Sequence, residues 1–181
     1  MNLRAALALG LAFSLSACWN SAAPLMPAKA VDAVPLSGVY ASVSSDPAAT
    51  KTWYRITPKG KALAVEKAQS EGENPDNWLA DRTLSFDALG NSVYLVQSVN
   101  AAGTERNYVL MRIAEDGDLV SVTTPSCSAQ QAAEYGATFA GSMCSFTSYD
   151  KVLAAARKVV ARTASDPKSV TYSFAEYRRA D

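Results

Sequence analysis

The sequence contains no histidine and carries no net charge, since Lys and Arg together number 17 and so do Asp and Glu. Without histidine, the chain lacks the usual general base near neutral pH, the Ser-His and Cys-His nucleophile pairs and every metal site that needs an imidazole. The balanced charge provides no field that attracts nucleic acid. We therefore predict a protein that is not an enzyme and that binds no metal, cofactor or nucleic acid.

Long apolar runs are also missing. The most apolar segment, Ala5–Phe13, is shorter than the roughly 20 apolar residues that a membrane-spanning helix needs. It follows the positively charged start Met1–Arg4, and small residues come after it. This order of charged, apolar and small residues is typical of a secretory signal peptide.

The segment ends in Leu15-Ser16-Ala17-Cys18, which resembles the lipobox of bacterial lipoproteins. The resemblance implies removal of residues 1–17, a diacylglyceryl group on the Cys18 sulfur and acylation of the new amino terminus. It also implies a bacterial envelope location. The residue after the cysteine is Trp19 and not the Asp that retains enteric lipoproteins in the inner membrane, so the chain resembles outer-membrane lipoproteins that face the periplasm. The alternative is an ordinary signal peptide cut further on, for instance after Ser21-Ala22-Ala23.

Residues 18–35 are rich in alanine and proline and show no clear period. They predict a lipid-anchored tether, whose 17 residues from Trp19 to Pro35 would reach at most about 55–60 Å when extended. The alternative is that part of this segment packs against the domain as an irregular edge. Either interpretation predicts a single globular domain over residues 36–181.

The first part of that domain has the pattern of an antiparallel β meander. Short runs rich in Val, Tyr, Thr and Ile alternate with turn residues, and glycine-containing turns such as Asp116-Gly117 separate them. The predicted strands are Leu36–Val43, Lys51–Thr57, Lys61–Lys67, Thr83–Ala88, Ser92–Val99, Asn107–Ala114 and Leu119–Thr123. Seven consecutive strands predict a curved sheet or small barrel, which resembles lipocalin-like lipoproteins in fold alone.

The composition changes after Pro125. Ser128 and Gln131 fit a capping box and predict a short helix to about Tyr135. Phe139–Ser142 is predicted as a loop and Cys144–Thr147 as a short strand. A second helix, capped by Ser148 or Asp150, runs to about Arg162 on an apolar stripe, and Val170–Phe174 is the last predicted strand. The predicted fold class is therefore α+β: a curved antiparallel sheet or barrel, two helices and a last strand.

Cys127 and Cys144 remain once Cys18 is assigned to lipid. In an oxidising, exported setting two remaining cysteines predict a structural disulfide. The alternatives are two buried thiols or a redox pair, and the latter lacks a Cys-x-x-Cys motif.

Two further motifs have simple structural explanations. Ser148 and Lys151 match Ser-x-x-Lys, as in penicillin-binding proteins, but no Lys-Thr-Gly follows, so Ser148 is predicted to be a helix cap. Glu115, Asp116 and Asp118 surround Gly117 and are explained by a hairpin turn rather than by a cation site.

Two hypotheses for function remain. The first is a membrane-anchored binding or accessory protein that presents its sheet to an envelope protein. The second is a carrier that holds a small apolar ligand in the barrel, with Trp78 at the mouth beside the polar loop Gln69–Asn77. The barrel interior discriminates between them, because a ligand pocket needs about 300 Å³ or more.

Overall fold

The computed structural model describes residues 19–44, 51–70, 79–166 and 172–180. This part of the chain forms eleven strands, two helices and a short 3-10 turn at Ala28–Ala30. The strands are β1 (Trp19–Ser21), β2 (Gly38–Val43), β3 (Thr52–Lys59), β4 (Ala62–Ser70), β5 (Arg82–Gly90), β6 (Val93–Asn100), β7 (Arg106–Ile113), β8 (Leu119–Pro125), β9 (Thr138–Ala140), β10 (Met143–Phe146) and β11 (Tyr172–Arg179); the helices are α1 (Ala129–Tyr135) and α2 (Tyr149–Ser165).

Eight of these strands close into an antiparallel barrel. Strands β2 to β8 pair with their neighbours in chain order, as the meander pattern predicted. Strand β11 then pairs with both β8 and β2 and completes the ring. The sequence prediction of an antiparallel sheet or small barrel, two helices and a last strand is thus confirmed at this level. Among the described residues, the closing strand runs on to Arg179, five residues beyond the predicted Phe174.

The barrel interior is a single apolar core. Alternate residues of the strands point inward, which is the expected consequence of the two-residue period of a β-strand. Leu36, at the entrance to β2, and Leu84 and Val96 in the wall are among the most buried. The larger members of this core are Tyr40, Tyr54, Phe86, Met111 and Tyr177.

A second layer covers the outside of the barrel over β6 and β7. It consists of α1, α2 and a small sheet in which β10 lies between β1 and β9. Leu95, Tyr108 and Leu110 point outward from the barrel but are buried beneath this layer. Strands β6 and β7 are therefore covered on both faces, and this explains their nearly continuous buried pattern.

The segment predicted as a tether belongs to the folded domain. Trp19 is completely buried, Met26 and Val34 are nearly so, and β1 pairs in parallel with β10 and in antiparallel with β7. Asp32 adds a bridge to Phe86 on β5. From Trp19 onward, this segment therefore packs against the domain as an irregular edge, which was the alternative to a tether. Its scattered apolar side chains contact the outer wall of the barrel and the layer that covers it.

Both helices begin close to where the sequence predicted. Ser128 accepts a hydrogen bond from the Gln131 backbone N–H at 3.2 Å, and α1 ends at Gly136 in the left-handed region. Ser148 occupies the N-cap position of α2, but its side chain makes no capping hydrogen bond. The predicted loop Phe139–Ser142 is partly wrong, since Thr138–Ala140 forms the edge strand β9.

Candidate functional site

Two of the residues singled out from the sequence lie outside the described residues. These are Cys18, predicted to carry the lipid, and Trp78, predicted to stand at a ligand mouth. The polar loop Gln69–Asn77 is described only at its beginning, where Gln69 and Ser70 are the last residues of β4.

Cys127 and Cys144 lie at disulfide-bonding distance, with their Cα atoms 5.7 Å apart and a separation of 17 positions in sequence. Cys144 is fully buried in the outer layer, and Cys127 is half-buried just before α1. The pair thus links the start of α1 to β10, as the sequence predicted. Cys144 also stands opposite Trp19, so the link reaches the strand that follows Cys18.

Among the residues whose positions are described, the barrel interior leaves little empty space. The cavity inside it measures only about 20 Å³ and is lined by apolar and tyrosine side chains. That volume is close to what one water molecule needs and far below that of a lipid pocket. Tyr40 and Tyr54 fill this space, and the Tyr40 hydroxyl donates to the Gly117 carbonyl at 2.8 Å. The aromatic side chains of these strands therefore pack the core.

A larger concavity lies outside the barrel, between α2 and the outer wall of β7 and β8. It encloses about 430 Å³. Val160, Thr163 and Ala164 of α2 form one side, and Leu110 and Thr123 form part of the other. Ser121 and Thr123 on β8 thus face the last turns of α2 across the groove. We call this feature the α2 groove.

A buried polar cluster holds the N-terminal segment against the barrel. The Gln97 side-chain carbonyl accepts hydrogen bonds from the backbone N–H of Leu25 at 2.8 Å and of Met26 at 3.1 Å. The Tyr108 hydroxyl donates to the same oxygen at 3.0 Å and lies 3.0 Å from Ser21 Oγ. Burial raises the pKa of the Tyr108 hydroxyl. The cluster satisfies polar groups that would otherwise be costly to bury, and it has the form of a structural contact.

A second polar contact joins α2 to the barrel. The Tyr149 hydroxyl, in the first turn of α2, donates to the Asp87 carboxylate on β5. Burial is the main cause that raises the pKa of Tyr149, and the hydrogen bond to Asp87 and the negative charge of Asp87 raise this pKa further. Because the two residues are 62 positions apart, nothing local in the sequence pointed to this pair.

The Ser-x-x-Lys motif is not assembled into a site. Ser148 caps α2 through its backbone carbonyl, which accepts from the Val152 N–H at 3.4 Å. The methylenes of Lys151 run past Gly136 at the end of α1. Within the described chain no hydrogen bond joins these two side chains, which agrees with the prediction of a helix cap.

The acidic cluster around Gly117 is a hairpin turn between β7 and β8. Gly117 has a φ of 75°, its N–H donates to the Ala114 carbonyl at 2.9 Å, and the Asp116 carboxylate accepts from the Asp118 N–H at 3.0 Å. Asp118 also lies 3.6 Å from the Arg179 guanidinium. Among the residues with described positions, no group of three or more Cys, Asp or Glu side chains is arranged to hold a metal ion.

Neither described helix is long and apolar enough to cross a bilayer. No protein-family model, curated protein or solved structure matches this chain. The function is therefore inferred from its own residues.

Proposed function

We propose that this chain is a lipid-anchored protein of the bacterial envelope that acts without catalysis, as a binding or accessory protein for another envelope protein. The anchor is proposed from the lipobox-like Leu15–Cys18 and the signal-peptide layout before it. Several acyl chains on one cysteine would hold the protein firmly, because each buried CH2 contributes about 0.8 kcal/mol.

The filled barrel is the observation that carries the choice of a binding protein over a carrier. A cavity of about 20 Å³ among the described residues of the interior is small for an apolar ligand, whereas the α2 groove offers about 430 Å³ on the outer surface, and this contrast supports a binding protein. Its mixture of aliphatic, hydroxyl and Arg112 side chains suits a segment of another protein. A side chain or short peptide segment is therefore the occupant that we propose for the groove.

The anchor is tested by metabolic labelling with radioactive palmitate. We expect label in the wild-type chain and none in Cys18→Ala, which should also leave the membrane fraction. A Cys18→Ala protein that stays labelled and membrane-bound would contradict the proposed anchor.

The binding role is tested by crosslinking on intact membranes with a matched pair of variants on α2. Ala164→Arg places a long charged side chain in the groove, and Ala154→Arg places the same side chain on an exposed position outside it. We expect one crosslinked partner with the wild type and Ala154→Arg, and its loss with Ala164→Arg. Lipid mass spectrometry on the same samples detects a carrier: a stoichiometric, noncovalently bound apolar lipid would contradict our proposal.

A further inference from the structure

The folded domain begins at the residue directly after Cys18. Trp19 is completely buried, and its ring centroid lies 5.3 Å from each of the rings of Tyr135 and Phe146. Because consecutive Cα atoms are about 3.8 Å apart, acyl chains carried by Cys18 would be attached next to the Trp19 backbone. With that anchor, no tether from Trp19 onward would separate the domain from the bilayer, and the surface next to Trp19 would lie close to the lipid.

The register of the small sheet identifies that face. Strand β1 runs parallel to β10 with Trp19 opposite Cys144, and Cys144 lies opposite Phe139 on the edge strand β9. Neighbouring strands are about 4.8 Å apart, which puts Phe139 about 10 Å from Trp19 across the sheet. The β9–β10 hairpin, with its turn at Gly141 and Ser142, is therefore the surface beside the attachment point.

The hairpin contains no charged residue. The sequence has no Asp, Glu, Lys or Arg from Tyr135 to Tyr149, although charged residues make up 19% of the chain. The nearest charge on the β1 side is Arg106 of β7, whose guanidinium donates to the Ala22 carbonyl at 3.0 Å. On the outer face of the small sheet Ser145 Oγ donates to the side-chain oxygen Oδ1 of Asn20, and the Asn20 side-chain amide donates to Met143 Sδ at 3.2 Å. A hairpin without charged residues avoids the free-energy cost of dehydrating ions at a membrane interface.

Phe139 gives the hairpin an exposed apolar side chain, on the face of the small sheet opposite to that of Asn20 and Ser145, because it is in register with Cys144. Its side chain is 41% exposed, and Val43 on β2, at 43%, is the other large apolar side chain exposed in the described chain. Val43 stands opposite Glu176 on the barrel wall, whereas Phe139 stands opposite the buried Cys144. Aromatic side chains favour the boundary between lipid headgroups and acyl chains.

We propose that the β9–β10 hairpin rests on the phospholipid bilayer and that Phe139 enters its interface, so that the anchored domain has a fixed orientation. This inference rests on the proposed lipid anchor at Cys18. Since the hairpin contains no charged residue, the contact should depend neither on anionic lipid nor on salt.

The test uses the full acylated chain in phosphatidylcholine vesicles whose acyl chains carry bromine, which quenches tryptophan at close range. Phe139→Trp and Val43→Trp form the matched pair, and the wild type supplies the background of the three native tryptophans. We expect brominated lipid to remove most of the emission added at position 139 and little of that added at position 43. The difference should persist at high salt and with added phosphatidylglycerol.

The outcomes separate the inference from the anchor. Mass spectrometry first establishes whether Cys18 is acylated, and an unacylated chain would overturn both the anchor and the orientation. If the chain is acylated but position 139 is quenched no more than position 43, the orientation is wrong and the anchor stands. Amide exchange of residues 138–143 gives a second readout without a new tryptophan: we expect slower exchange on vesicles than in soluble Cys18→Ser, and equal rates would also overturn the orientation.

Discussion

Trp19 and Cys144 lie opposite each other in the parallel pair of β1 and β10, and both are completely buried. One residue follows the predicted lipid attachment site, and the other belongs to the disulfide pair with Cys127. The proposed anchor and the cross-link of the outer layer therefore meet at a single pair of residues.

Truncation of Trp19 should destabilise the domain strongly. Trp19→Ala removes the contacts with Tyr135 and Phe146, and we expect a loss of about 3–5 kcal/mol in the free energy of unfolding. Trp19→Phe should lose much less, because it keeps an aromatic ring and removes a buried indole N–H that has no partner in the described structure. Urea unfolding followed by circular dichroism measures both, and equal losses in the two variants would contradict the packing explanation.

Removal of the disulfide should weaken the outer layer. The loop closed by Cys127 and Cys144 has a sequence separation of 17. We therefore expect the double variant Cys127→Ser, Cys144→Ala to have a free energy of unfolding about 3 kcal/mol lower than that of the wild type. Guanidinium unfolding of the two proteins gives this difference. A reducing agent should destabilise the wild type similarly and leave the double variant unaffected; two free thiols in a non-reduced digest of the wild type would refute the bond.

Gly117 and Gly103 should lose similar stability when replaced by alanine. Both have positive φ, 75° and 69°, so alanine at either position costs about 1–2 kcal/mol from backbone strain. A Cβ at Gly117 would lie 3.4 Å from the Pro35 carbonyl oxygen, which is an ordinary van der Waals contact, and nothing lies within 4 Å at Gly103. We expect drops in melting temperature of similar size, and calorimetry that found a much larger drop for one variant would contradict the explanation by backbone strain.

Alkaline conditions should weaken the attachment of α2 to the barrel. Burial, followed by the hydrogen bond to Asp87 and its charge, raises the pKa of Tyr149 above its ordinary value of 10.0. The unfolded chain therefore loses this proton first, so the stabilisation is complete below pH 10 and is lost as the pH rises above it. The free energy of unfolding should fall less steeply above pH 10 in Tyr149→Phe than in the wild type. Identical slopes would show that Tyr149 ionises freely in the folded state.

The strands and helices were predictable because their signals are local. Alternation marked the strands from β2 to β8, and Ser128 with Gln131 marked the start of α1. The burial of Trp19 was not predictable, since β1 has only three residues and its partner Cys144 comes more than a hundred positions later. The predicted strands Thr83–Ala88 and Ser92–Val99 left residues 89–91 for the turn between them. In the structure β5 runs to Gly90 and β6 begins at Val93, so the turn consists of Asn91 and Ser92, both with positive φ.

The candidate sites depend on tertiary structure in the same way. The predicted export and the number of cysteines were enough to predict the pairing of Cys127 with Cys144, which lie at disulfide-bonding distance. The volume of the barrel interior and the α2 groove depend on how side chains from distant strands meet, and no sequence period records that. The Tyr149 contact with Asp87 likewise arises only when α2 folds back on β5.

The closing strand β11 has a consequence for how the protein folds. It pairs Arg179 with Tyr40 and Tyr172 with Pro125, so the ring cannot close until the C-terminal end of the described chain has been added. Closure of such distant pairs loses much chain entropy before the contacts form, and folding through them is slow. A nascent chain that lacks β11 leaves the edges of β2 and β8 unpaired, so these two strands can pair with other chains until β11 has been synthesised.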